Sequence, residues 1–381
     1  MKCHCLILVL LIIIRVRGLS RMDSSITDNN RLAYVDFLKS ISIFLVITLH
    51  TGLWHINFIN DRNTSAVLQY FCRIIAEGVP VFVMINGFLL FPKNFDMNKH
   101  IRKIKKIMIL LVVWAVIMTL AKTYILGRPI SLDWIMKNLI TTSISNRYTG
   151  VLWFLQSLLA LYFVYPFLKY IYDNDKNKYF EYLFLLVSFF TVGLNLFKMV
   201  IDWFLINKSL SFLKEILPFF NRFNPIANGS FLLFFMLGGL IKKNLAFIDK
   251  HRNAFLLIGL FGQFIPFYYG YSMSIKLNNL WGGSHIYSSI FMPLFITSLF
   301  CLALYYDVKQ YCISIIRLIS ENTFGIYFLH TIIIVFIRAV YPFKAKYFIN
   351  RLVFTFIVFM LSLLISICIQ HIPKLKKLIS L

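Results

Sequence analysis

The stretch Val35–Gly52 reads VDFLKSISIFLVITLHTG and decides the fold. Its length and its Phe, Leu, Ile and Val content suit a helix that crosses the roughly 30 Å hydrocarbon core of a bilayer. Yet it opens with Asp36 and Lys39 and carries His50 deep inside. Ionisable side chains within membrane helices are costly and commonly mark functional positions. The stretch therefore predicts a spanning helix and, at its polar positions, a site.

The composition of the whole chain is that of a membrane protein. Of the 381 residues, 59% are hydrophobic and only 14% are charged, and the mean hydropathy is +0.76. We predict an all-α, polytopic bundle of about ten membrane helices. The predicted helices are 35–56, 66–91, 107–126, 151–170, 179–200, 230–241, 254–271, 286–306, 318–340 and 352–369. These runs are apolar on all sides, whereas barrel strands alternate apolar and polar residues.

The net charge of +24 would suggest nucleic-acid binding in a soluble protein. Here the basic residues stand at helix ends, as membrane topology requires, without a basic groove interleaved with aromatic residues. Their excess on one face predicts a cytoplasmic N-terminus and a cytoplasmic C-terminus. Four basic residues run against this bias: Arg338, Lys344, Lys346 and Arg351.

The chain is predicted to hold one membrane domain, residues 22–381. Residues 1–21 are expected to be a leader or a mis-assigned start, because their apolar core is too short to span and ends in Arg15 and Arg17. The six cysteines lack CxxC spacing, so we predict neither a disulfide framework nor a metal site.

His50 is the leading catalytic candidate. Eleven residues of helix separate it from Lys39, a rise of about 16 Å, so any link between the two needs a long ligand. Asp36 is about 21 Å from His50 and cannot orient it. Its expected partners are Arg31 and Lys39, or it is a helix N-terminal acid that favours the macrodipole.

A basic run opens the third predicted helix, HIRKIKKIMILLVVW from His100 to Trp114. Lys103 and Lys106 share one helix face and could hold phosphates. The alternative is a stop-transfer cluster that follows the positive-inside rule.

The run RLAYVDFLKSISIFLVITLHTG resembles the opening signature of the membrane acyltransferase-3 family. In that signature an Arg, an Asp, a second basic residue and a His recur at the spacing seen here, at Arg31, Asp36, Lys39 and His50. Further blocks resemble the family in the same order: GVPVFVMINGFLLFPK, Arg102–Lys106, VLWFLQSLLALYFVYPFLK, FFMLGGLIKK and ISENTFGIYFLHTIII. The resemblance covers most of the chain from Arg31 onward.

This resemblance implies an O-acyltransferase that moves an acetyl group from acetyl-CoA, its donor substrate, to a hydroxyl of a cell-surface glycan or its lipid-linked precursor. It implies no permanently bound cofactor. Five residues would bind the donor at the cytoplasmic face: Arg31, Lys39, Arg102, Lys103 and Lys106. The pantetheine arm would then carry the thioester to His50, which acts as general base or carries the acyl group transiently.

Some positions depart from the family pattern. Lys39, Lys103 and Lys106 stand where arginine is usual, Leu110 replaces a common proline, and Asn86 replaces a common serine. Lysine binds phosphate as a point charge without the bidentate fork of arginine. Donor binding is therefore expected to be weaker or differently arranged.

Four further residues are candidates for lining the cavity or the acceptor path: Asp36, Glu77, Trp153 and His330. Each has a structural alternative. His330 could bond a neighbouring helix, Glu77 could pair with Arg73 one turn away, and Trp153 could pack in the core.

A transporter or flippase of lipid-linked glycans or small anionic solutes is the alternative function, although no duplicated half is evident. A polysaccharide polymerase and a noncatalytic scaffold are further alternatives. The richness in Lys, Ile, Asn and Phe suggests an AT-rich bacterial genome and so a multi-pass protein of a bacterial plasma membrane.

Overall fold

Helices make up the part of the chain that the structure describes. The structure is a computed structural model, and it describes residues 32–51, 64–140, 148–174, 176, 178–208, 229–277, 291–305, 310–341 and 348–379. Within these ranges there are helices and turns but no strand. The described residues from Ala33 onward form one compact unit. The predicted all-α class is confirmed.

We number the helices in chain order. They are α1 Ala33–His50, α2 Thr64–Ile75, α3 Gly78–Leu90, α4 Met97–Ile125, α5 Leu132–Ile140, α6 Trp153–Asp173, α7 Tyr179–Ser188, α8 Leu194–Lys208, α9 Ser230–Lys243, α10 Leu245–Lys250, α11 Arg252–Gly262, α12 Phe264–Leu277, α13 Phe291–Leu304, α14 Gln310–Val340, α15 Phe348–Gln370 and α16 Pro373–Lys376. A 3₁₀ turn, Gly150–Leu152, precedes α6, and a π turn, Phe189–Gly193, joins α7 to α8.

Eight helical segments among the described residues are long and apolar enough to cross a membrane. They are Ala33–His50, Tyr70–Leu90, Met97–Ile125, Gly150–Asp173, Tyr179–Ile201, Arg252–Leu277, Ile313–Val340 and Phe348–Gln370. The predicted multi-pass architecture is thereby confirmed. Helices α9 and α13 each have 14 residues, about 21 Å of rise, and each is preceded by residues outside the described ranges. The count of ten helices stays a prediction.

Two predicted helices are interrupted. The segment 66–91 is broken at Ala76 and Glu77, between α2 and α3. Pro80 lies in the first turn of α3 and has no N–H to donate to the Ala76 carbonyl, which favours the break. The segment 254–271 is interrupted at Gln263, whose side-chain amide donates to the Phe291 carbonyl at 2.9 Å. Hydropathy does not register such breaks because the flanking residues stay apolar.

The basic helix α4 has well-defined ends. The Asp96 carboxylate accepts a hydrogen bond from the backbone N–H of Lys99 at 3.0 Å, as an N-cap residue does. That hydrogen bond lowers the pKa of the Asp96 carboxyl. At the other end Gly127 has φ +61°, the left-handed conformation that commonly terminates a helix. The caps place the basic run in the first three turns of α4.

Glycines allow two helices to pack closely. Gly87 of α3 lies against the backbone of Phe235, and Gly238 of α9 lies against the backbone of Met84. A methyl group at either glycine would overlap a carbonyl oxygen. This close pairing of α3 and α9 follows the small-residue rule of membrane helices, in which backbones approach where side chains are absent.

Helices α1 and α14 run side by side in the same direction. Near their starts, Ser320 donates a hydrogen bond to the Asp36 carboxylate at 2.6 Å, and Ser40 donates to the Ile316 carbonyl at 3.1 Å. About twelve residues further along each helix lie His50 and His330. The parallel register therefore brings the two histidines to the same level.

Candidate functional site

Two histidines from distant parts of the sequence meet in the bundle. The ring centroids of His50 and His330 are 5.1 Å apart, with the rings tilted by 52°. His330 is 0% exposed, and His50 is half-buried at the end of α1. We refer to these two residues as the histidine pair.

One ring nitrogen of His330 has no hydrogen-bond partner among the described residues. Its Nδ1 lies 3.2 Å from the Ile326 carbonyl, and because a carbonyl can only accept, Nδ1 carries the proton. The Nε2 atom is then an acceptor, and this buried atom has no hydrogen-bond partner among the described residues. Buried polar atoms are normally bonded. The nitrogen is thus placed to accept a proton or a hydrogen bond from a bound molecule.

The segment Tyr148–Leu152 lies beside the histidine pair. The hydroxyl of Tyr327, whose ring lies 6.2 Å from that of His330, donates to the Val151 carbonyl at 2.6 Å. The Lys122 ammonium, near the end of α4, donates to the Tyr148 carbonyl at 2.7 Å. The segment therefore ties α4 to α14 at the level of the histidines.

Lys122 is a functional candidate that the sequence analysis missed. Its side chain is 3% exposed, and its positive charge acts on both imidazoles of the histidine pair. The available signal was a single lysine in the last turn of α4, after the apolar stretch that follows the basic run, in the sequence LAKTYIL. Next to the many basic residues at other helix ends, that signal looks like an ordinary interfacial lysine.

At the other end of α1, four lysines converge. The charges of Lys39, Lys93 and Lys106 all act repulsively on Lys103, and the Lys103 ammonium lies 5.1 Å from the centroid of the Tyr162 ring. We refer to these four residues as the lysine cluster. Three of them were predicted to bind a donor together, and the structure brings them close. Lys93, in the turn before α4, is an addition.

The remaining predicted donor residues are placed differently. Arg102 is exposed, and its Nε donates to the Asn98 carbonyl of its own helix at 3.3 Å. It lies on the same basic turn as Lys103 but on an outer face. Arg31 falls outside the described residues. Its role stays a prediction.

The candidates for lining the cavity separate into different surroundings. Asp36 is buried and bonded to Ser320, close to Lys39 along α1 and far from His50. Glu77 is buried at the break before α3 and acts electrostatically on buried Arg73. Trp153 packs against the Phe231 ring at 5.3 Å and follows directly on the Tyr148–Leu152 segment. Of these four candidates, His330 is the one whose ring is shown to lie against the ring of His50.

Among the described residues no three His, Cys, Asp or Glu side chains are grouped to hold a metal ion. Cys72, Cys301 and Cys368 are free thiols. The side chains that the structure brings together at the site carry imidazole and ammonium groups. Two imidazoles can move a proton, and the lysine cluster, a helix length away, can hold an anion.

Comparison with known proteins places this geometry in a family. A family model described as an acyltransferase domain, that of the acyltransferase-3 family, matches residues 32–371, nearly the whole described chain. No curated protein matches the chain, and no solved structure does. The family match favours the enzyme over the transporter that was the alternative.

Proposed function

Because the chain belongs to the acyltransferase-3 family and is a multi-pass membrane acyltransferase, we propose that it moves an acetyl group from acetyl-CoA to a hydroxyl of a cell-surface polysaccharide or its lipid-linked precursor. The single observation that carries this proposal is the arrangement along α1. A cluster of cations lies at one end, and a pair of histidines lies at the other.

The lysine cluster supports a phosphate-bearing donor. Three lysine charges act repulsively on Lys103, so a polyanion that binds among them would be stabilising, and acetyl-CoA carries several phosphate charges. Tyr162 beneath Lys103 supplies an apolar and aromatic wall. In the proposed orientation, with the N-terminus inside, this end of α1 faces the cytoplasm, where acetyl-CoA is made.

The spacing supports a donor with a long arm. Lys39 and His50 are separated by about 16 Å of helix rise, too far for one small ligand to touch both. The pantetheine arm of acetyl-CoA has a comparable length. With its phosphates at the lysine cluster, its thioester would reach the histidine pair.

The histidine pair supports acid–base chemistry at the thioester. In the proposed reaction His50 takes the proton of the acceptor hydroxyl as its oxygen attacks the thioester carbon. The proton then passes to the CoA sulfur as the carbon–sulfur bond breaks. A transient acyl group on the His50 imidazole is the alternative course. Either course benefits from a second imidazole, His330, that exchanges a proton nearby.

The proposed topology indicates from which face of the membrane the acceptor reaches the site. His50 lies at the end of α1 away from the cytoplasm, so an acceptor exposed at the outer face of a bacterial plasma membrane could reach it. A glycan or a lipid-linked sugar offers hydroxyls there, and the bilayer itself is the protein's environment.

The experiment is transfer of labelled acetyl from acetyl-CoA in inverted membrane vesicles, across a panel of glycan and lipid-linked acceptors. We compare the native chain with His50→Gln and with His251→Gln, an exposed histidine outside the site, at matched expression. We expect the native chain and His251→Gln to label an acceptor. His50→Gln should transfer acetyl at least about 100-fold more slowly. Full transfer by His50→Gln would reject the assigned base, and vesicles that never exceed a protein-free background would reject the donor or the acceptor class.

A further inference from the structure

Lys122 is a buried cation to which the acetyl transfer proposed above assigns no role. It lies in the last turn of α4 and is 3% exposed. A cation in this position, next to the predicted reacting groups, can act on charge that develops there during the reaction.

The geometry holds Lys122 at the level of the histidine pair. Its ammonium donates to the Tyr148 carbonyl at 2.7 Å, and three residues later the Val151 carbonyl accepts from the Tyr327 hydroxyl at 2.6 Å. Tyr327 lies one turn before His330 on α14. One short segment thus fixes Lys122 and His330 relative to each other, and the Lys122 charge acts on both histidines.

A glutamine amide at this position could donate the same hydrogen bond to Tyr148 but would carry no charge. The charge matters if negative charge develops nearby during the reaction. In a site sheltered from water a fixed cation stabilises such charge far more than it would in bulk solvent.

We propose that Lys122 is a further catalytic residue, whose ammonium stabilises the negative charge on the thioester carbonyl oxygen during transfer at the histidine pair. This inference rests on the proposed acetyl transfer. The acceptor hydroxyl loses its proton to His50, and its oxygen forms a bond to the thioester carbon. The carbonyl electron pair moves onto oxygen, and this oxyanion faces the ammonium. When the carbonyl re-forms, the carbon–sulfur bond breaks and the sulfur leaves with the proton from the imidazolium.

The test compares Lys122→Gln and Lys122→Arg with the native chain, in the vesicle assay and with the acceptor that the native chain labels. Lys169→Gln is the matched control, because Lys169 is a second buried lysine and pairs with Asp173 in the last turns of α6. We expect Lys122→Gln to lower kcat about 100-fold or more, the usual effect of removing an oxyanion donor, with KM for acetyl-CoA within about twofold. Lys122→Arg, which keeps the charge, should retain at least about ten times the kcat of Lys122→Gln.

The outcomes separate this inference from the proposed function. If native vesicles transfer no acetyl group to any acceptor, the proposed function fails and Lys122 loses its assigned role with it. If the native chain is active and Lys122→Gln keeps kcat within about threefold, only the Lys122 assignment is overturned. An equal loss of kcat in Lys122→Gln and Lys122→Arg, with acetyl-CoA binding intact, would also overturn the Lys122 assignment. Should Lys122→Gln not accumulate as folded protein, a kcat loss beyond about 100-fold in folded Lys122→Arg would reject the charge role.

Discussion

The Ser320 hydroxyl donates a 2.6 Å hydrogen bond to the buried carboxylate of Asp36, and so joins helices that are 284 positions apart in sequence. This contact lies at the opposite end of the α1–α14 pair from the histidines. It sets the register in which His50 and His330 meet. A carboxylate that was predicted from its sequence neighbours to pair locally therefore also serves a long-range contact.

Ser320→Ala should lower the stability of the fold, and it should affect the reaction only indirectly. Removing a hydrogen bond to a buried charged group costs about 1.5–3 kcal/mol, because the carboxylate loses a partner that water cannot replace. We expect a lower thermal unfolding midpoint in detergent and a reduced kcat through a loosened histidine pair. Ser272→Ala is the control, since Ser272 bonds only within its own helix to the Tyr268 carbonyl. Equal midpoints for Ser320→Ala and the native chain would contradict the assigned role.

Gly238→Ala tests the close approach of α3 and α9. The added methyl group would overlap the Met84 carbonyl, and backbone cannot move aside as a flexible side chain can. Overpacking of this kind costs about 1–3 kcal/mol or more, so we expect reduced accumulation in the membrane and a lower unfolding midpoint. The matched control is Gly193→Ala, where the nearest neighbour would be a Phe189 side-chain carbon at an ordinary 3.5 Å. If the two variants unfolded alike, the packing argument would be wrong.

Lys103→Gln and Lys106→Gln test the lysine cluster. Each removes a charge that is proposed to contact donor phosphates, and a charge-assisted hydrogen bond is worth roughly 1.5–3 kcal/mol. We expect each variant to raise KM for acetyl-CoA by about tenfold or more, with kcat little changed and with a weaker dependence on salt. Lys105→Gln, an exposed lysine between them on the same helix, should leave KM unchanged. A uniform effect across all three variants would indicate a general surface charge instead of a site.

The sequence predicted where the helices lie along the chain better than it predicted which residues of different helices contact each other. Apolar segments and the order of the family blocks were enough for the all-α membrane fold, because hydropathy is a property of each segment alone. The break at Ala76 and Glu77 lies between two apolar stretches and so escaped the hydropathy pattern. Lys93 comes close to Lys103 through the turn before α4. In the sequence, a basic residue in a connection between membrane helices resembles any other that follows the positive-inside rule.

The candidate site shows the same limit. His50 stood out because it interrupts an apolar helix, and Lys39 stood out by its spacing from it. His330 could be read equally as a packing residue or as part of a cavity, since nothing local to α14 says which helix lies beside it. The parallel alignment of α1 and α14 places His330 beside His50, and that alignment is a property of the tertiary structure. Lys122 was invisible for the same reason, because its significance comes from two imidazoles on other helices.

His330→Gln is the variant that tests whether the histidine pair acts as a unit. The substitution keeps a polar side chain of similar reach but cannot exchange a proton, so a packing role would be largely preserved and a proton-transfer role would be lost. We expect kcat to fall at least about tenfold, with KM for acetyl-CoA unchanged and the unfolding midpoint within a few degrees of the native value. His371→Gln, an exposed histidine in the C-terminal tail, should behave as the native chain does. In the double variant with His50→Gln, the further loss should be much smaller than tenfold, because residues that act together are not additive. A His330→Gln enzyme with native kcat would leave His50 as the sole acid–base residue of the pair and assign His330 to packing.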